Sequence, residues 1–171
     1  MKLACEKRDL LNSDFDVIVQ QCNCMCVKAH GLSENIAKRY PFANPYAQRR
    51  AVGNRNLAIK QDQPVPGTIM ISEGKNIKVV HFFAQLDYGK PGVSRRVTLE
   101  QDNSKLREKW FSECLSCFRT WLCEQNTNLS VCFPKLIGCG LAGGNPTSYY
   151  RMLQEFANTL PDRIRVVLCE L

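Results

Sequence analysis

The stretch VCFPKLIGCGLAGGNP, residues 131–146, constrains this chain more than any other. A short apolar run suited to a buried strand passes into Gly138, Gly140, Gly143 and Gly144, and then into Asn145-Pro146. Asparagine before proline is the pattern of a helix N-cap followed by a first-turn proline. Tyr149, Leu153, Phe156 and Leu160 then recur at helical spacing. The unit therefore reads strand, glycine loop, helix. In open α/β sheets ligands bind beyond the carboxyl ends of strands, at loops of this kind. Exposed loop amides and the start of the following helix form an anion site. A tight turn with positive φ angles would need two or three glycines. Four suggest that something must approach the backbone closely.

Two familiar phosphate-binding devices are excluded. No Lys-Ser or Lys-Thr follows the glycines, so this is not the P-loop of a nucleoside triphosphatase. A dinucleotide fingerprint belongs on the first strand–helix turn, whereas this loop lies near the last helix, which argues against a nicotinamide dehydrogenase.

The rest of the chain alternates in the same way. DVIVQ is a buried-strand run, and Leu32, Ile36 and Tyr40 mark a helix that Pro41 stops. Asn44-Pro45 opens a short helix through YAQRRAV, and residues 53 to 67 read as loop. TIMIS and IKVVHFF are strands around a turn at Glu73 to Asn76. YGKPGVSRRV is a basic loop, and Leu106, Trp110, Cys114, Cys117 and Trp121 mark one long amphipathic helix. LSVCFP and IRVVLCEL are further strands. This order predicts an α/β sandwich with helices on both sheet faces, formed by residues 1–171 as a single domain.

Charge and cysteine content narrow the partners. The net charge of +7 favours anionic ligands without choosing among them. No apolar run approaches the roughly 18 residues of a membrane span, and MKLACEKRD lacks an apolar signal core. A cytoplasmic or nuclear protein that does not engage a membrane is expected, monomeric by default. In that setting the ten cysteines are expected to be unpaired thiols, with no metal and no cofactor. The alternate Cys22, Cys24 and Cys26 do not have zinc-ligand spacing.

A second strand–loop–helix unit, DVIVQQCNCMCVKAHGLSENIAKRYP, gives the sheet two helix starts able to accept an anion, which suits a ligand with two phosphates. At these two stretches the chain resembles the macro domain family. KRDLLNSDFDVIVQQCNC is similar to the family's opening, with Arg8 in place of a glycine. CVKAHGLSENIAKRYP resembles the glycine loop and helix that follow, with Ala29 in place of another. PGTIMI, VVHFFAQLDYG and FPKLIGCGLAGGNPTSYYRMLQEF continue the match in order. The last resembles a subgroup that includes ADP-ribose-1''-phosphate phosphatase-like and ADP-ribosyl glycohydrolase-like proteins.

The resemblance implies a three-layer α/β/α sandwich with a mixed central sheet, and a cleft at its crest for ADP-ribose, free or attached to a macromolecule. It would place Asp9 and Leu10 at the adenine, Asn23 at the distal ribose, and Ala29, His30, Gly31 and Leu32 along one side of the phosphates. Gly138, Cys139, Gly140, Leu141, Ala142 and Gly143 would wrap the other side, with Phe83 and Gln85 near the adenosine end or the ribose edge. Asn23 and His30 are the catalytic candidates, imidazole being the side chain that titrates near neutral pH. The acids that relatives carry after G-C-G-L and in G-G-D-W are here Ala142 and Asn145. Two functions follow: hydrolysis of ADP-ribose derivatives, or a reader that binds ADP-ribose without turnover. A third is nucleic-acid binding at Tyr88, Lys90, Arg95 and Arg96.

Overall fold

The computed structural model describes residues 3–12 and 14–170. Six strands, β1 (Leu3–Glu6), β2 (Val17–Asn23), β3 (Ile69–Glu73), β4 (Lys78–Gln85), β5 (Leu129–Pro134) and β6 (Ile164–Cys169), form one sheet in the order β1-β6-β5-β2-β4-β3. All neighbours are parallel except β3, which returns antiparallel on β4 and makes the sheet mixed. Three α-helices cover it: α1 (Leu32–Arg39), α2 (Ser104–Glu124) and α3 (Pro146–Asn158).

Alternation along the strands builds two cores. Val17 and Val19 of β2 join Phe82, Phe111, Phe118, Phe133, Leu153 and Phe156 beneath α2 and α3. Ile18, between them, points to the other face, with Val79, Val167, Leu10, Phe15 and Ile36 of α1. Helices on both faces of a mixed sheet give the three-layer sandwich expected from the sequence.

Three local expectations change. β1 was not anticipated, because four residues of mixed polarity at a sheet edge give little periodic signal. The helix opening at Asn44-Pro45 ends after one turn, at Gln48, and Arg49 is extended with its guanidinium turned inward. Finally, Cys132 and Cys169 form a disulfide, so not all ten thiols are unpaired. They lie 37 residues apart in sequence, but β5 and β6 are adjacent, and both side chains point to the α1 face.

A chain of buried polar groups crosses that face. Ser33 Oγ donates to Gln20 Oε1 at 2.7 Å, Gln20 Nε2 lies 2.9 Å from His81 Nδ1, and His81 Nε2 lies 2.8 Å from Ser72 Oγ. Gln20 Nε2 can only donate, so the neutral ring carries its proton on Nε2. Burial, helped by the nearby positive charge of Arg49, lowers the His81 pKa from 6.5 to about 4. The unfolded chain takes up this proton below pH 6.5, whereas the fold resists it down to about pH 4. Stability should therefore fall across that window, by about 3 kcal/mol in all. Urea titrations from pH 7 to 4 should show the slope, and His81→Phe should lack it. An equal slope in both proteins would assign the effect elsewhere.

Candidate functional site

The parallel strands end at one edge of the sheet, and there the chain opens a cleft of about 300 Å³. Its floor is the end of β2, with Gln21 and Asn23, beside Gln85 at the end of β4. A register shift between Cys22 and Asn23 pairs Asn23 with Gln85 at the end of the two strands. His30, Leu32 and Ser33 form one wall, and Pro134, Leu136, Ile137, Gly138, Gly140, Leu141 and Ala142 form the other. Tyr46, Tyr88 and Gly89 complete the lining.

Each wall presents free amides. Helix α1 begins at Gly31 with no side-chain cap, which leaves its first-turn N–H groups open. In the glycine loop the amides of Cys139, Gly140, Gly143 and Gly144 turn back on the loop's own carbonyls, whereas those of Gly138, Leu141 and Ala142 meet no acceptor among the described residues. Helix α3 contributes less than expected. Asn145 Oδ1 caps the Thr147 amide at 2.9 Å, Pro146 has no N–H, and neither residue lines the cleft. The anion-accepting groups on this side belong to the loop and not to the helix start.

The four glycines have different causes. Gly138 and Gly143 have positive φ, 75° and 74°, and a Cβ at either would collide with Tyr149 or Lys90. At Gly144 a Cβ would come within 2.4 Å of the Gly138 carbonyl oxygen. These three are required by the chain itself. Gly140 has ordinary φ, and a Cβ there would meet nothing within 4 Å. It faces the cleft, and no contact within the chain excludes a side chain at this position.

Two buried arginines hold the loops. Arg107 of α2 and Asp102, 3% and 1% exposed, pair at 2.7 and 2.8 Å. Arg107 also donates to the carbonyls of Gly89, Ala142 and Asp87, and Asp102 accepts the amides of Leu86 and Asp87. Arg49 donates to the carbonyls of Asn23 and Cys26 and makes no ion pair among the described residues. Neither Arg107 nor Asp102 stood out in the sequence. Their only signal was an Asp-x-x-x-x-Arg spacing at the start of a helix.

The cleft lining contains no carboxylate, lysine, arginine or cysteine. Asp87, which precedes the lining residue Tyr88 in the chain, is buried. Burial raises its pKa, but Arg96 at 2.6 and 2.8 Å, Ser94 and the Tyr88 amide outweigh that and hold it below the ordinary value. Burial also pushes the thiols of Cys22 and Cys139 up to about 11 and that of Cys24 up to about 12, which keeps them protonated. Among the described residues no group of three or more side chains could hold a metal.

Of the residues singled out in the sequence, Asn23, His30, Leu32, Gln85, Gly138, Gly140, Leu141 and Ala142 gather at the cleft. Ala29, Gly31, Cys139 and Gly143 belong to its two loops but do not line it. Three lie elsewhere. Leu10 is fully buried in the α1-side core, and Phe83 packs beneath the floor with Cys22, Cys24, Cys26 and Tyr46. Asp9 accepts from Leu11 N and Asn12 Nδ2 and borders a separate hollow with Lys7, Arg8 and Glu170. Of the basic patch, Arg96 is committed to Asp87, Lys90 lies over Gly143, and Arg95 is exposed. Sequence reasoning missed Gln21, Ser33, Tyr46 and the exposed Leu136. Among the described residues no helix is long and apolar enough to cross a membrane.

No protein-family model and no curated protein sequence matches the chain. Solved structures do. The macrodomain of Mycobacterium tuberculosis DarG is 18% identical, with a TM-score of 0.70 over 98% of this chain and 96% of its own. The macrodomain of Thermus aquaticus DarG gives the same identity and score over 99% and 98%. A Trypanosoma brucei macrodomain in complex with ADP-ribose is 13% identical, with a TM-score of 0.62 over 99% of this chain and 63% of its own.

The Arg107–Asp102 pair gives a direct test of how the walls are held. Arg107→Met leaves a buried carboxylate and three carbonyls without their donor. It should lower stability by roughly 3–5 kcal/mol in chemical denaturation. A loss below about 1 kcal/mol would mean that the loops are held by other contacts.

Proposed function

We propose that this protein, which has the macrodomain fold, binds ADP-ribose in the cleft at the edge of its sheet. One observation carries the reading: backbone amides without an acceptor among the described residues, at the start of α1 and at Gly138, Leu141 and Ala142, belong to the two walls of a cleft of about 300 Å³. Amides on two walls suit a diphosphate, since N–H groups stabilise anionic oxygens; the first-turn acid of α1, Glu34, does not line the cleft and pairs with Lys38 at 3.0 Å. The amide side chains on the floor suit a sugar. The Trypanosoma brucei macrodomain of the same fold was solved with ADP-ribose.

Gly140 is the place to test this, because a side chain there disturbs nothing in the chain. ADP-ribose at a hundredfold over its dissociation constant should stabilise the wild type by about 2.7 kcal/mol. For a chain of this length that corresponds to a rise of roughly 5–11 °C in melting temperature. Gly140→Glu should fold normally and lose the shift, because it fills the space and sets a negative charge against the diphosphate. AMP should stabilise less than ADP-ribose. No shift in the wild type would remove ADP-ribose as the ligand, and an equal shift in Gly140→Glu would remove this loop from the site.

Hydrolysis of ADP-ribose derivatives is the second reading, favoured by His30 at the cleft beside Asn23. Removal of ADP-ribose from a modified macromolecule, or of a terminal phosphate, needs a group that positions water and takes up a proton. His30 carries the one imidazole in the lining, the side-chain type used most often for such proton transfer. If turnover occurs, His30→Ala and Asn23→Ala should slow product release from ADP-ribosylated substrates by tenfold or more while ADP-ribose binding survives. Wild-type rates in both would exclude these roles. No product from the wild type would leave a binding module.

A further inference from the structure

Ser33 stands in the first turn of α1 and lines the cleft, yet its hydroxyl gives its proton to the core, to Gln20 Oε1 at 2.7 Å. From there the hydrogen bonds run in one sense. Gln20 Nε2 donates to His81 Nδ1 at 2.9 Å, and the ring donates from Nε2 to Ser72 Oγ at 2.8 Å. A primary amide and a neutral imidazole each carry a donor at one end and an acceptor at the other, and a hydroxyl takes either part. The whole chain can therefore be reversed without losing a hydrogen bond. Reversed, Ser72 donates to Nε2, Nδ1–H donates to Gln20 Oε1, and Gln20 Nε2 donates to Ser33 Oγ. The Ser33 proton is then released from the core.

What keeps the chain in its present sense is the lack of a good acceptor for that proton. Released in the empty protein, it would face Cys22 Sγ at 3.9 Å, a weak acceptor. An anionic oxygen against α1 changes the balance. The uncapped helix start already offers it backbone amides, and the hydroxyl adds a charge-assisted hydrogen bond, about twice as strong as a neutral one. The surroundings of the ring favour a neutral relay. His81 meets Gln20 and Cys22 of β2, Ser72 of β3 and, through Gln20, Ser33 of α1. Cys22 Sγ lies 4.0 Å from Nδ1, and burial keeps that thiol protonated. The charged group that acts on the ring is Arg49, which with burial opposes an imidazolium. Reversal therefore leaves the ring neutral: one proton from water joins Nδ1, and the proton of Nε2 returns to water.

We propose that Gln20 and His81 are positioning residues for the α1 wall: they hold the Ser33 hydroxyl proton inward in the free protein, and the chain reverses when an anionic ligand oxygen occupies the cleft beside Ser33. Occupancy of the cleft is then reported by a histidine that lies in the core and does not line the site. This rests on the ADP-ribose reading and adds to it a proton that changes place on binding.

The test is nitrogen NMR of the imidazole rings at neutral pH, which separates protonated from unprotonated ring nitrogens, with and without saturating ADP-ribose. His81→Phe identifies the signals of His81, the other ring being His30. In the free wild type the proton should sit on Nε2, and in the complex on Nδ1. Gln20→Met breaks the chain, so its His81 ring should be the same with and without ligand. Ser33→Ala should also show no change, and by calorimetry should bind ADP-ribose about five- to tenfold more weakly, the scale of one hydrogen bond. Ser33→Thr keeps the hydroxyl and should restore both the change and the affinity. Circular dichroism and ligand-free melts of each variant would show that it is folded, and if Gln20→Met is not, the serine pair carries the test. A wild-type ring that keeps its proton on Nε2 in the complex would overturn the assignment. So would a ring that changes equally in Gln20→Met or in Ser33→Ala. Failure of the wild type to bind ADP-ribose at all would instead overturn the ligand reading, and this inference with it.

Discussion

The cleft depends on one buried ion pair. Arg107 and Asp102 are almost wholly excluded from solvent, where a charge is tolerated only if it is paired and its remaining hydrogen-bonding capacity is used. Here it is used on backbone. The guanidinium takes carbonyls from residues 87, 89 and 142, and the carboxylate takes amides from residues 86 and 87. Those residues come from the loop after β4 and the glycine loop after β5, which flank the cleft. The pair therefore orders two loops that lie outside the strands and helices. It sits at the start of α2, a long helix held down by Phe111, Phe118 and Leu122, so the geometry of the loops is tied to the main core.

The electrostatics of the site follow from what is withheld from it. The acids near the cleft are engaged with cations, Asp87 with Arg96 and Asp102 with Arg107. Arg49, by contrast, lies buried beneath the Asn23 loop with two backbone carbonyls as its hydrogen-bond acceptors. Its charge adds to the burial that lowers the pKa of His81 and works against the burial that raises Cys22 and Cys24. A buried cation bonded to the carbonyl of Asn23, a residue of the cleft floor, together with a lining that contains no carboxylate, favours an anion in the cleft.

Much of this fold was legible because its signals are local. β5 follows the written run LSVCFP, α2 contains the whole Leu106 to Trp121 stripe, and Asn145 caps α3 as its position before Pro146 implied. The loops around Asn23 and Gly138 were legible for the same reason. What escaped had no local pattern. β1 is too short to show alternation, Phe83 reads equally well as cleft or core, and Leu10 and Asp9 are adjacent residues that end up in different environments.

The glycine loop shows where the sequence stops. The sequence by itself determined that a strand would pass through a glycine-rich turn into a helix, because apolar run, glycine content and Asn-Pro capping are properties of neighbouring residues. It could not say which glycine served which purpose. Gly138 and Gly144 are set by Tyr149 and by the loop folding on itself, Gly143 by Lys90 from the loop after β4, and Gly140 by nothing in the chain. The same holds for the floor. Gln20 and Gln21 are consecutive glutamines, yet the pleat sends one to a buried histidine and the other to the cleft. The direction of the Gln21 amide is decided through Gln85 by the carbonyl of Asp87, and the partner of Gln20 is His81, both more than sixty residues away. Hydrogen-bond direction and steric exclusion are properties of groups that meet across the fold, and only the tertiary structure brings those groups together.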